Sequence, residues 1–130
     1  MKEPILHPPS NLWGTQLIGL GTTIGAFADI GDEVVIGTNC KIQCHVSIPP
    51  KTQIGNNVFI GPGVHIANDP KLNGEIKGTL IKGGAKIGMG ALIQGGIVIG
   101  ENSVIGMGAV VLGDVPDGET WAGCPATKIK

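Results

Sequence analysis

Three side chains in the segment His65-Ile66-Ala67-Asn68-Asp69-Pro70 are suited to proton and amine chemistry. An imidazole such as His65 can take a proton from a hydroxyl or an amine. An amide such as Asn68 can orient an uncharged nitrogen by hydrogen bonding, and Asp69 beside it can hold a polar group of the same ligand. The same residue types also open turns, because Asn and Asp bond to their own backbone and Pro presets φ. Both readings stand on the sequence alone. His45 is a second imidazole, three residues past Ile42, at a position where a ligand or a second chain could meet it.

The elements that must position these residues follow from a strict period. From Ile18 in steps of six the chain reads Ile24, Ile30, Ile36, Ile42, Ile48, Ile54, Ile60 and Ile66, and from Ile81 it reads Ile87, Ile93, Ile99, Ile105 and Val111. Two residues before each aliphatic stands a small or β-branched residue, such as Cys40, Val46, Ala85 or Ala91, which an extended strand places on the same face. Glycine often follows the aliphatic, where a corner is needed. A helix cannot keep every sixth residue on one face, since six steps rotate the side chain by about 240°. Strand-plus-corner hexads can, if three of them close a triangular coil and successive coils stack as parallel sheets. The expected fold is therefore an all-β, parallel β-helix of about five triangular coils.

The three stacks expected are Ile18, Ile36, Ile54, Ile81 and Ile99 on a first face, Ile24, Ile42, Ile60, Ile87 and Ile105 on a second, and Ile30, Ile48, Ile66, Ile93 and Val111 on a third. The step from Ile66 to Ile81 is fifteen residues, nine more than the period. The ladder must rejoin at the next coil, so the extra residues leave as an outward loop, and such insertions lie on a binding face. The expected organisation is an N-terminal cap over 1–17, off-period and proline-rich with Trp13; a β-helix over 18–115 with a loop insertion at 67–80; and a C-terminal cap and tail over 116–130.

Net charge is −1 and charged residues make up 15% of 130 residues, so no strong field draws nucleic acid or an anionic membrane. No apolar run approaches the ~20 residues that span a bilayer, and the N-terminal stretch lacks a signal-peptide core, which gives cytoplasmic as the default expectation. The three cysteines have no paired zinc spacing, and Cys40 falls on an inward position as a buried thiol.

The hexad pattern, (Leu/Ile/Val)-Gly-x-x-small-x, resembles the hexapeptide-repeat acyltransferases, whose coils wind as a left-handed β-helix. The left hand is implied by that resemblance alone, since parallel crossovers otherwise favour the right hand. The "IANDP" segment is similar to the Asn-Asp loop of sugar-nucleotide N-acetyltransferases, although Pro70 follows Asp69 directly. "GCPATKI", Gly123–Ile129, resembles the Gly-x-Pro-Ala-x-x-Ile segment that closes such coils. The resemblance implies acetyl-CoA as co-substrate without a metal, an amino-sugar nucleotide as acceptor, a homotrimer with parallel axes and active sites between subunits. It implies that Asn68 orients the amine; His65, outward by alternation beside the root of the loop, is the rival base, and Asp69 and His45 are the expected substrate-binding residues.

Acetyl-CoA requires a narrow groove with small side chains and free amides. The repeated "IGMGA" at 87–91 and 105–109 offers Met89, Gly90, Ala91, Met107, Gly108 and Ala109 in two stacked corners, and Lys128 near the end can meet a phosphate. Repeated corners need glycine in any case, and a terminal lysine is equally at home in water. The expected function is an acetyl-CoA-dependent N-acetyltransferase acting on a nucleotide-linked amino sugar. The alternatives are an O-acetyltransferase using a histidine base on a sugar or serine hydroxyl, and a non-catalytic β-helix scaffold. The γ-class carbonic anhydrases resemble this chain in the repeat alone: their paired histidines are absent, and His45 and His65, twenty residues apart, are out of coil register.

Overall fold

The computed structural model describes residues 2–69 and 71–130. Its strands are mostly two residues long, each pairing in parallel with the equivalent strand of the next coil. The first face carries five strands, from Gln16–Ile18 to Val98–Ile99; the third carries six, from Asn11–Leu12 to Val110–Val111. The second carries eight, from Ile5–Leu6 to the terminal pair Thr120–Gly123 and Ala126–Lys128. The architecture is a left-handed β-helix of about six turns.

The periodic aliphatics do the packing. Ile24, Ile30, Ile42, Ile60, Ile81, Ile87, Ile93, Ile99 and Ile105 are buried, and so is the small residue two positions before each strand end. The ladders keep the predicted register, with Ile36 opposite Ile54, Ile54 opposite Ile81 and Ile81 opposite Ile99. Size alternates along each inward rank because large and small side chains must share a narrow prism. Cys40 sits among them fully buried; burial pushes its thiol pKa up, and its Sγ lies 3.0 Å from the Gly55 carbonyl oxygen. Thr22, Thr52 and Ser103 are buried with their hydroxyls donating to carbonyls of Gly37, Pro49 and Gly100, so the core holds polar groups without leaving them unpaired.

Three boundaries differ from the sequence expectation. Residues 5–6 and 11–12 are not off-period: Leu6 pairs with Ile24 and Leu12 with Ile30, which extends the six-residue step back through the proline-rich segment and raises the coil count. The prolines fall at corners and ends, where no ladder donor is required. The loop is shorter than 67–80, because Leu80–Ile81 is already a strand and Thr79 is buried. The tail is laddered too: Val115 bridges to Ile99, Trp121 stands opposite Ile105, and Ala126–Lys128 folds back antiparallel on Thr120–Gly123.

Candidate functional site

Outward residues of the third face form a rank that follows from register: Asn11, Asp29, Ser47, His65, Leu92 and Val110 stand one above another. The lower four are polar and the upper two apolar. At the corner that leads from this face to the first, Trp13, Gly31, Pro49, Ala67, Gln94 and Leu112 occupy equivalent positions. Together with the loop, rank and corner enclose a cavity of about 920 Å³. His65, Asn68 and Asp69 all line it, so the structure brings together the three residues that the sequence placed at the break.

Their surroundings give each a distinct part. His65 begins its strand on the outer face with its side chain exposed, between Ser47 below and Leu92 above. Asn68 is the second residue beyond that strand and is also exposed. Asp69 turns back on its own loop: its carboxylate accepts the amides of Gly74 at 2.6 Å and Asn73 at 3.1 Å, while its carbonyl accepts Leu72. The Gly74 amide, followed by those of Asn73, Leu72 and Lys71, holds the Asp69 carboxyl below the usual carboxylate range, so it is charged at neutral pH. Asp69 therefore braces the loop that carries Asn68, and Leu72 of the same loop walls the cavity.

His45 does not join this group. It lies at the opposite edge of the third face, on the corner from the second, in the left-handed backbone region at φ 60°, with its ring stacked on Phe27 at 5.0 Å and 12°. The positions above it on that corner are Gly63, Gly90 and Gly108, all at positive φ, and a Cβ built on any of them meets nothing within 4 Å. The corner is thus an open track, bordered by the exposed thioethers of Met89 and Met107, as the stacked-glycine reading requires. Its amides are not free, however. Gly90 donates to the Pro62 carbonyl and Gly108 to that of Met89, both at 2.9 Å, while Ala91 and Ala109 close their own turns. The coil consumes these donors because each corner repeats the bond of the one below.

Gly90 and Gln94 mark the two edges of the third face and are four residues apart, so track and cavity are separated by at most about 14 Å of extended chain. Lys128 is on neither. Its ammonium pairs with Glu119 at 3.4 Å, and Glu119 also accepts the Trp121 indole N–H at 3.0 Å, the larger cause of its lowered carboxyl pKa. Among the described residues no group of three His, Cys, Asp or Glu is placed to hold a metal ion.

Asp29, Ser47 and Gln94 line the cavity and were not singled out in the sequence, and Trp13, expected only in the cap, lines it too. The signal for them was the same ladder, read outward: steps of one coil down from His65 reach Ser47 and Asp29. Outward positions carry no repeated residue type, so only counting exposes them.

Comparison with known proteins agrees with this geometry. The bacterial transferase hexapeptide family (six repeats) matches residues 78–113. An acyl-(acyl-carrier-protein)-UDP-N-acetylglucosamine O-acyltransferase of Brucella ovis is 26% identical over 114 residues, covering 88% of this chain and 40% of that protein. The acetyltransferase domain of PglB from Neisseria gonorrhoeae superposes with a TM-score of 0.87 at 26% identity, over 97% of this chain and 57% of that one. PerB from Caulobacter crescentus, solved in complex with CoA and GDP-perosamine, superposes with a TM-score of 0.81 over 98% of this chain and 55% of that one; at 23% identity it bears on the fold. The chain spans about half the length of these relatives or less. With its periodic ladder and its phase break, the chain is a left-handed β-helix similar to the hexapeptide-repeat acyltransferases.

Proposed function

We propose that the chain transfers an acetyl group from acetyl-CoA to the amino group of a nucleotide-linked amino sugar. The observation that carries this reading is the meeting of His65 and Asn68 in one cavity beside the loop. Acyl transfer needs a neutral nitrogen aligned on the thioester carbonyl and a place for its proton. Asn68 is suited to accept an N–H of the acceptor and aim its lone pair. The other charged groups lining the cavity are the carboxylates of Asp29, Asp32 and Asp69, which favour the ammonium form of an amine. A base is therefore required, and His65 is the group in position. The neutral nitrogen attacks the carbonyl carbon, the tetrahedral intermediate collapses with cleavage of the C–S bond, and CoA leaves as the thiolate. The one proton the nitrogen gives up on becoming an amide passes through His65 to the sulfur; an acceptor that arrives as ammonium first releases its extra proton to water.

The open glycine corner supports acetyl-CoA as donor, since a pantetheine arm needs a lane without side chains. In one chain that lane and the cavity lie on opposite edges of the third face. Two copies with parallel axes bring one copy's loop against the other's glycine corner, which favours the homotrimer with sites between subunits. A similar structure adds weight: the PglB acetyltransferase domain is also solved in complex with acetyl coenzyme A.

The Brucella relative is an O-acyltransferase, and His65 could equally deprotonate a hydroxyl. A panel of amino-sugar nucleotides and their hydroxyl counterparts, assayed for thiol release from acetyl-CoA, separates the readings. Release with amines alone supports N-acetylation; release with hydroxyl acceptors supports O-acetylation; silence with all supports a scaffold.

A further inference from the structure

The lower end of the cavity carries an arrangement that acetyl transfer does not use. Trp13 is 60% exposed, yet its indole is fixed: Nε1–H donates to Asp29 Oδ1 at 2.8 Å, and the Gln16 amide bonds the Trp13 carbonyl oxygen. With its only donor engaged, what the indole offers a ligand is its π-face. Asp32 lies beside it, with Oδ1 accepting the Thr15 amide at 2.8 Å. An exposed, oriented ring facing a cavity, next to carboxylate oxygens, fits a flat heteroaromatic ring with N–H donors on its edge.

Position narrows the ligand further. Trp13, Gly31, Pro49 and Ala67 are equivalent corner positions on successive coils. Trp13 is therefore three ladder steps below the start of the loop, about 14 Å at the usual strand spacing of roughly 4.8 Å. A monosaccharide cannot reach from Asn68 to Trp13. A nucleoside diphosphate sugar can, with its sugar at Asn68, its diphosphate crossing the uncharged stretch of Ser47, Pro49 and Pro50, and its base at Trp13. Placing the diphosphate there keeps it a coil away from Asp29 and Asp32, which then face the base edge and not the phosphates.

Resting on the proposed function for the identity of the acceptor, we infer that Trp13 is the stacking platform for the acceptor's nucleobase, with Asp29 and Asp32 accepting hydrogen bonds from the base edge. Trp13 binds the handle of the substrate and takes no part in the acyl transfer.

The chain has two tryptophans, so a Trp121→Phe background leaves Trp13 as the sole indole emitter. Titrating that protein with nucleoside diphosphates should quench its fluorescence saturably, whereas a nucleotide-free amino sugar should not. In the transfer assay Trp13→Ala should raise KM for the nucleotide-linked acceptor about 5- to 150-fold, the usual worth of one base–aromatic stack. Its kcat and its KM for acetyl-CoA should stay near those of the parent. Trp13→Phe, which keeps a ring, should recover most of the affinity and guards against a folding defect. No quenching by any nucleoside diphosphate, or an acceptor KM unmoved by Trp13→Ala while acetyl transfer persists, overturns the platform and leaves the proposed function standing. Saturable quenching without acetyl transfer to any acceptor does the reverse.

Discussion

His65 and Leu92 face each other across adjacent strands although twenty-seven residues separate them in sequence, whereas Ser47, the partner on the other side of His65, is eighteen away. The nine-residue difference is carried by the loop, and the ladder closes above it with Ile66 opposite Ile93. The insertion thus changes what stands beside the third face without changing the face.

The loop should therefore be dispensable for folding. Removing residues 68–76 leaves Ile66-Ala67-Lys77-Gly78-Thr79-Leu80-Ile81, a regular hexad with glycine at its corner and a small residue two before the aliphatic. The shortened protein should keep its far-UV circular dichroism and melt within a few degrees of the parent, while acetyl transfer falls to background. Loss of the cooperative melt would show that the loop is part of the structural core.

Asp69 should act on the loop alone. Asp69→Ala removes the acceptor for the Gly74 and Asn73 amides, so hydrogen exchange at those two amides should accelerate while the thermal midpoint hardly moves. The carboxyl pKa is depressed below 3.8 in the folded chain, so its contribution is fully present above about that pH and is lost as pH falls through the lower folded value. Loop-amide protection should accordingly be flat from neutrality to mild acid and drop only at the acid extreme. Protection already falling near pH 6 would contradict this.

Core positions should behave differently. Ile87 is fully buried between Ile60 and Ile105, and Ile87→Ala should cost about 2–5 kcal/mol in a denaturant titration. A cost below about 1 kcal/mol would mean that the prism collapses around the void.

Gly90 separates backbone demand from ligand demand. At φ 73° an alanine costs about 1–2 kcal/mol of stability, but its Cβ meets nothing in its own chain. If the corner is the donor's lane, Gly90→Ala should raise KM for acetyl-CoA at least several-fold and leave the acceptor KM alone. An equal rise in both would move the donor elsewhere.

The inward half of this protein was legible in the sequence because burial imposes one residue type at a fixed step: every stacked aliphatic from Ile18 to Val111 took its expected face. Leu6 and Leu12 obey the same step but were obscured by prolines, which read as cap and in fact occupy coil ends. The outward half was less legible. His65 and Asn68 stood out because they flank the phase break, whereas Trp13, Asp29 and Ser47 join them only through register. Asp69 and His45 stood out as ligand contacts by type; that the Asp69 carboxylate accepts amides of its own loop and that the His45 ring stacks on Phe27 have no sequence mark.

The central claim is that His65 and Asn68 act together on an acceptor amine. Thiol release from acetyl-CoA with an amino-sugar nucleotide, measured for the parent, Asn68→Ala, His65→Ala and the double variant, tests it most directly. The account predicts that each single change lowers kcat/KM by about 10²-fold or more, and that the double variant is little worse than the poorer single one, because the two serve one step. Turnover unchanged in both single variants, with the protein still folded, would contradict it.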